Sequence, residues 1–574
     1  MRPLDWIVLV AAMVGIVVYG VWKGRGQRDL NAFLLSSRNA RWYTMALSIM
    51  ATQASAITFL STPGQAYADG MRFVQMYLGL PIAMVILSIT AVPLFHRLEV
   101  YTAYEFLEGR FDLKTRAIAA LLFLIQRGLA AGLTIYAPAL VLSLILGWNI
   151  HYTNIAVGLL VIVYTAFGGT KAVSWTQFHQ MLVITFGMAA AFATAVWLLP
   201  EGVGFADATR LAGEMGRLNA IDLSFDPTNR YNIWSGLLGG LFLMLSYFGT
   251  DQSQVQRYLT GSSVAQSRIA LLVNGLVKVP MQVLILFLGV MVFAFYQFVQ
   301  PPLFFNPEEV RKVEQSAWAG DFERLEAEHG AAFEAKRAEV EALLEAGDAG
   351  DAARFERARR DLLAADADLA AVRERAVELM RRNDPSIDPN DTNYVFLTFV
   401  VTYLPAGLVG ILIAAILFAS MSSTSSELNA LASTTVIDIY KRMVKRDATE
   451  RHYVRASKLA TVFWGLYAIW FAEFASRLGT LVEAVNILGS IFYGTILGIF
   501  LMAFYSRRVG GTAVFVAAVL AEAVVIWCFR YTEISFLWYN LIGAVLVVVF
   551  SLLLDPIVGG RRRGDEASPT HRRG

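Results

Sequence analysis

Cysteine is almost absent: Cys528 is the only one in 574 residues. That excludes an internal disulfide framework and any cysteine-ligated metal cluster. Charge is scarce too, at 16% of the chain, and the signs nearly cancel, with 48 basic against 46 acidic residues. The net charge of +2 therefore says nothing about partners, and no nucleic-acid ligand is expected. No glycine-rich nucleotide loop occurs, so work driven by ATP hydrolysis has no support and no enzyme chemistry is expected. Histidines such as His96 and His179 stand singly, not at metal-ligand spacing. No small-residue cleavage site follows the first apolar stretch, Trp6 to Trp22, so a cleaved signal is not expected.

What the chain has instead is apolar length. It is 56% hydrophobic, and about thirteen segments are long enough, or nearly so, to cross roughly 30 Å of hydrocarbon. The expected fold class is an all-α polytopic membrane protein. Two of the expected spans, Thr153–Phe167 and Gln177–Leu199, are close neighbours in sequence, and Val395–Ser426 reads as one long span. Lysine and arginine alternate by side. Lys23 to Arg28, Arg97, Arg110, Lys441-Arg442, Arg507-Arg508 and Arg561 to Arg563 fall on one side, whereas the loop at Gly147 to Ile150 has none. The positive-inside rule then puts the N-terminus outside and the C-terminus in the cytoplasm of a multi-pass cell-membrane protein.

The expected units are an extra N-terminal helix and cytoplasmic loop (1–40), a first five-helix unit (41–200), a second (230–510), C-terminal helices (511–555) and a basic cytoplasmic tail (556–574). One stretch, 306–386, interrupts the second unit and is rich in Glu, Ala and Arg. Phe322, Leu325, Phe333, Val340, Leu343 and Leu344 recur near helical spacing, and Ala346 to Asp351 reads as a break. This predicts an extracytoplasmic helical hairpin with arms of roughly 40 Å at about 1.5 Å per residue. It serves either as a solvated insertion or as a lid, partner-binding arm or dimer contact.

The most informative run is Met421-Ser422-Ser423-Thr424-Ser425-Ser426, five hydroxyls inside an apolar segment. Hydrocarbon cannot hydrogen-bond hydroxyls, so such a knot faces a cavity or binds something. Uncharged oxygens suit a small hard cation such as Na+. A second unusual segment, Ser48 to Gly64, is small and polar at its centre and then carries Pro63 and Gly64. Such a helix can unwind in the membrane and free carbonyls for an ion, or it can simply pack tightly. A third, around Ser246-Tyr247-Phe248, is flanked by Gly236, Gly239, Gly240 and Gly249. Interrupted helices at corresponding places in two halves point to a repeat transporter.

These motifs, with Tyr104 to Phe111, Ile135 to Leu140, Tyr164 to Val173, Gly249 to Gln252 with Val255 to Leu259, and Ser422 to Asp438, resemble the sodium:solute symporter family. The family includes iodide, multivitamin, proline, sialic-acid and sugar carriers. The resemblance implies a leucine-transporter-type 5+5 inverted repeat with broken helices, alternating access and Na+ as the coupling ion. It places the family's sodium site on the carbonyls of Ala51 and Ala54, with Ala419, Ser422 and Ser423. A second site found in some members would use Ser425 and Ser426 with an aspartate, but Gln177 stands at that position after Trp175-Thr176. One coupled Na+ is therefore expected, not two.

The solute site implied by the resemblance takes in Gln53, Ser55, Thr58, Arg127 and Tyr247. Met244 stands where the sugar carriers tend to place asparagine. Arg127 lies in an apolar helix, and its guanidinium suits a carboxylate; the alternative is that it pairs with a protein carboxylate. The expected function is Na+-coupled import of a small solute, a carboxylate first, with sugars or amino acids as alternatives. A solute-sensing receptor with a separate signalling partner is a further alternative, since the tail after Leu554 is too short for a kinase. A channel is disfavoured, because broken helices around one ion site suit alternating access. The oligomeric state stays open.

Overall fold

The computed structural model describes residues 2–23, 35, 38–475 and 478–558; within these, the side chains of 17, 20, 21, 23 and 167–175 are left aside. The basic loop at 24–34 and the tail at 559–574 lie outside the described residues, as do the side chains of the motif after Ala166 and of Trp175.

Among the described residues every regular element is helical, and β structure is limited to an isolated bridge between Ala40 and Gly261. Eight helices among the described residues are long and apolar enough to cross a membrane, and three more, Pro3–Ile16, Ile150–Ala166 and Ser235–Gly249, are apolar but shorter. The two neighbouring spans expected at 153–167 and 177–199 belong to one helical element, Ile150–Trp197.

Leu408–Thr434, which carries the hydroxyl run, is the axis of the bundle. All its residues but Leu408 and Ile411 are buried. Around it pack Leu113–Leu146, Ile150–Trp197, Glu450–Ala472 and the first helix, Pro3–Lys23. The first helix also closes the end of the axis. Buried Asp5 accepts hydrogen bonds from the amides of Gly407 at 2.6 Å and Gly410 at 3.2 Å. A carboxylate there satisfies orphan N–H groups and meets the positive end of the helix dipole. Gly410 is required for this approach, since a Cβ would lie 2.4 Å from the Asp5 carbonyl oxygen.

The expected span Val395–Ser426 is in fact two helices. Thr392–Tyr403 ends before Leu404-Pro405, and the axis starts after Gly407, whose φ is +89°. Proline cannot donate the amide that would continue a helix, and the left-handed glycine turns the chain.

The helix at Ser48 to Gly64 is broken. Trp42–Gln53 stops, Ala54 and Ser55 leave helical geometry with ψ of 76° and 175°, and Ala56–Asp69 resumes. The second broken helix interrupts at Thr250-Asp251, between Gly240–Gly249 and Gln252–Leu259. Gly249 ends the first segment directly before the break, and Gly236 and Gly239 lie in a π-helical turn, Ser235–Gly239. A Cβ on Gly236 would meet the Gln75 carbonyl at 2.3 Å, and one on Gly240 the Met76 carbonyl at 2.5 Å. They let backbones touch, as small residues do between membrane helices.

The charged insertion forms a hairpin, Ala319–Asp348 and Ala352–Asn383. Gly350, with φ +68°, makes the turn, and Asp351 caps the second arm by accepting from the Arg354 amide at 3.0 Å. The hairpin is docked rather than free. Val340, Leu343, Ala358 and Leu362 share a cluster with Leu211 and Phe298. Arg210 reaches Asp348 at 3.1 Å, and Arg359 reaches Glu214 at 2.8 Å. At the other end Phe322, Leu325 and Met380 pack on Leu303 and Phe304.

Candidate functional site

The break after Trp42–Gln53 removes intrahelical partners from the carbonyls just before it. The axis supplies replacements. Ser422 Oγ donates to the Ala51 carbonyl at 3.0 Å. Ser423 Oγ lies 3.2 Å from both the Ala51 and Thr52 carbonyls. Ala51, Ala54, Ala419, Ser422 and Ser423 are all buried. Two carbonyls and two hydroxyls from separate helices thus converge with no carboxylate among these contacts. That donor set fits a monovalent hard cation: the hydroxyl hydrogens can turn away and present oxygen lone pairs beside the carbonyls. No group of three or more His, Cys, Asp or Glu suited to a metal ion occurs among the described residues.

Gln177 sits beside this cluster, buried, and holds together three helices. Its Oε1 accepts from Ser48 Oγ at 2.5 Å. Its Nε2 donates to Ser426 Oγ at 3.0 Å, to the Ser422 carbonyl at 3.2 Å and to Thr52 Oγ1 at 3.3 Å. Ser425 and Ser426 bond back to the Ser422 carbonyl at 3.1 and 2.9 Å. The Gln177 amide nitrogen thus stands as a donor among the oxygens of Thr52, Ser422 and Ser426.

A cavity of about 90 Å³ adjoins the break, lined by Thr52, Gln53, Ser55, Thr58, Arg127 and Tyr247, with Met244, Asn486 and Tyr493. Gln53 Nε2 has only the Met244 sulfur, at 4.0 Å, and its Oε1 is unpartnered. Tyr247 accepts from Gln254 Nε2 at 2.7 Å, and Arg127 lies over its ring at 5.5 Å.

Arg127 is brought to this cavity, but not with a free charge. Its guanidinium pairs with Asp251 and with Glu427, the latter at 3.0 Å, and also contacts the Tyr493 hydroxyl. Tyr493 donates to Asp251 at 2.8 Å, and Thr134 donates to Glu427 at 2.8 Å. Asp251 also caps Gln252–Leu259 through the Ser253 amide at 2.8 Å. Two protein carboxylates thus satisfy both ends of the guanidinium fork, leaving only Nε unpartnered.

The sequence profile of the sodium:solute symporter family matches residues 33–317 and 386–520, more than half of the chain. The chain belongs to the sodium:solute symporter family. The gap in the match, 318–385, is the docked hairpin, which is an insertion into this symporter framework. The chain is 34% identical over 299 residues to the human sodium/iodide cotransporter, covering 52% of this chain but only 45% of that protein. It is 26% identical to the sodium-coupled monocarboxylate transporter 1 of Xenopus laevis, over 91% of this chain and 70% of that one. Its fold is that of a Na+-coupled sialic acid symporter solved in a substrate-bound, outward-open state. The TM-score is 0.74 at 20% identity, over 97% of this chain and 98% of that one.

Sequence reasoning singled out Arg127 but missed its partners. Glu427 follows the hydroxyl run directly and is itself an intramembrane charge, which was signal enough. Tyr493 carried none, because a tyrosine in an apolar helix is ordinary. Lys278, alone in the apolar stretch Val277 to Val283, is a second buried charge that passed unremarked.

Proposed function

We propose that this chain is a Na+-driven symporter that imports a small organic anion, a carboxylate first, by alternating access. One observation carries the reading: Thr52 adjoins both sites. Its side of the break lines the cavity, and its carbonyl receives Ser423 beside the Ala51 carbonyl. A cation held there ties Trp42–Gln53 to Leu408–Thr434 and sets a positive charge next to the solute. Ion and anion then favour the same arrangement of helices, which is a coupling free energy.

The ligands of that ion are Ala51, Ala54, Ala419, Ser422 and Ser423. A single Na+ is coupled, because the Gln177 amide serves Ser426 where a second ion would need a carboxylate. Gln53, Ser55, Thr58 and Tyr247 contact the solute. Arg127 shapes the cavity wall, and the solute's charge is balanced mainly by the ion. The spans number about thirteen when Ala56–Arg97 is read as two passes and Glu450–Ala472 is added to the long and the shorter apolar helices. They form two five-helix inverted units, with the N-terminus outside and the hairpin on the outer face.

The test is uptake into proteoliposomes under an inward Na+ gradient, over monocarboxylates, iodide, sialic acid, sugars and amino acids. Gradient-dependent uptake of one of the anions, lost when the gradient is collapsed, is the expected result. Uptake of sugars or amino acids alone would replace the anion reading. No gradient dependence with any solute would point to a receptor.

A further inference from the structure

A second cavity, of about 470 Å³, opens beside the solute cavity. The two are carried by the same elements. In the helical turn Gly70–Tyr77, Arg72 lines the second cavity while Met76 and Tyr77 line the first. In Leu481–Tyr505, Glu483 lines the second while Val482 and Asn486 line the first. The second cavity also lies on the hairpin side, since Arg217 on its wall follows Glu214, which pairs with Arg359 of the hairpin at 2.8 Å.

Three arginines, Arg72, Arg217 and Arg230, face two carboxylates, Asp69 and Glu483. Glu483 is already engaged: Arg230 pairs with it at 2.7 Å, and the Tyr231 hydroxyl donates to it at 2.9 Å. Asp69 is exposed and accepts from Gln65 Nε2, and it forms no ion pair with any of the three arginines. Two guanidiniums are left over. Arg72 is exposed, and its guanidinium has no hydrogen bond or ion pair among the described residues. Arg217 gives Nη1 to the Ala68 carbonyl and lies over the Phe293 ring at 4.6 Å, but its Nη2 has no partner and no carboxylate pairs with it. Arg127 is the opposite case, its fork answered by two carboxylates.

Resting on the anion-import reading above, we infer that this cavity is an antechamber that binds the carboxylate of the solute through Arg72 and Arg217 before the solute cavity receives it. Uncompensated guanidiniums in a cleft with low-dielectric walls concentrate anions beside them, and charge-assisted bonds to a carboxylate are the strong ones. There is room: at about 30 Å³ per water, the cavity takes a small carboxylate together with the water around it.

The test uses the purified full chain in detergent without Na+, so that the ion-coupled cavity is not loaded. Cys528→Ala removes the chain's only cysteine, and Asn219→Cys puts a thiol on the exposed wall of the antechamber. Relative to a free thiol, a negatively charged methanethiosulfonate reacts about tenfold faster than a positively charged one. Potassium propionate protects the thiol from a neutral reagent, whereas propionamide and potassium chloride of equal ionic strength do not. Arg72→Gln and Arg217→Gln each reduce the charge preference and raise the propionate concentration for half-protection about tenfold. Arg72 is exposed, so its variant serves if Arg217→Gln does not fold. Equal rates for the two charged reagents overturn the antechamber. So does protection unchanged in Arg72→Gln, or protection that appears only with Na+, which belongs to the solute cavity. Protection by phosphatidylglycerol vesicles but not by propionate overturns it too, assigning the arginines to a lipid phosphate. Labelling needs no transport, so a failure here and a failure of anion uptake are read in separate measurements.

Discussion

The hydroxyl cluster and the arginine cluster share one helix, Leu408–Thr434, and are built on opposite principles. At Ser422 and Ser423 the contacts are neutral hydroxyls on carbonyls, at 3.0 to 3.2 Å. At Glu427, on the same helix, two carboxylates grip a guanidinium with tyrosine and threonine in support. Neutral hydrogen bonds are each worth about 1 kcal/mol and rearrange easily, whereas breaking a buried ion pair leaves a bare charge and costs about 3–5 kcal/mol. In the function proposed above, the first arrangement opens to receive an ion and closes again, and the second fixes the helices against which that movement occurs.

The largest expected effect tests the fixed half. Arg127→Gln strands Asp251 and Glu427 and lowers stability by about 3–5 kcal/mol in thermal or denaturant unfolding. Adding Glu427→Gln recovers much of the loss. If the single variant is as stable as wild type, the cluster is not a structural lock and Arg127 is free for the solute after all. The yielding half is tested by Ser423→Ala, which removes one oxygen from the cation's neighbourhood. Na+ affinity falls about tenfold to a hundredfold by titration, with unfolding little changed. Undiminished Na+ binding would remove Ser423 from the site.

Gln177→Asp sharpens the contrast by converting a donor into a carboxylate beside Ser425 and Ser426. The Hill coefficient for Na+-dependent uptake should move from one toward two; a value that stays at one means the missing carboxylate is not what limits stoichiometry. The smallest effect is expected from Thr134→Val. It removes the 2.8 Å bond to Glu427 and costs about 1–2 kcal/mol of stability. Na+ affinity should not follow, and a parallel loss of both would mean that the two clusters act as one.

How much of this was readable from residues alone divides along the same line. The first break was legible because small and polar residues interrupt an apolar run locally, and the hydroxyl run was legible for the same reason. The glycines of the seventh span flank its irregular points, a π-helical turn at Ser235–Gly239 and the break at Thr250-Asp251 directly after Gly249, whereas the close approach of Gly236 and Gly240 to Gln75 and Met76 was not readable. The split of Val395–Ser426 was signalled by Pro405 and Gly407 but outweighed by hydropathy. Pairing of Arg127 with a protein carboxylate was one of two readings, but which carboxylates could not be read, because they lie 124 and 300 residues away. The hairpin arms were legible from composition and spacing. Their docking was not, because Arg210 and Asp348 are 138 residues apart.

The carboxylate of Asp5 gives sequence distance a meaning in time. The amides that donate to it, those of Gly407 and Gly410, follow it by about 400 residues, the first by 402. A ribosome adding about 5–20 residues per second needs roughly 20–80 s to make that interval. For that interval the end of Leu408–Thr434 that Asp5 caps has not been made, and the carboxylate keeps only its local bond from the Arg2 amide at 2.9 Å. The helix that carries the hydroxyl run is thus capped late in synthesis, and a chain truncated before Gly407 lacks the two amides that its first helix meets in the folded protein.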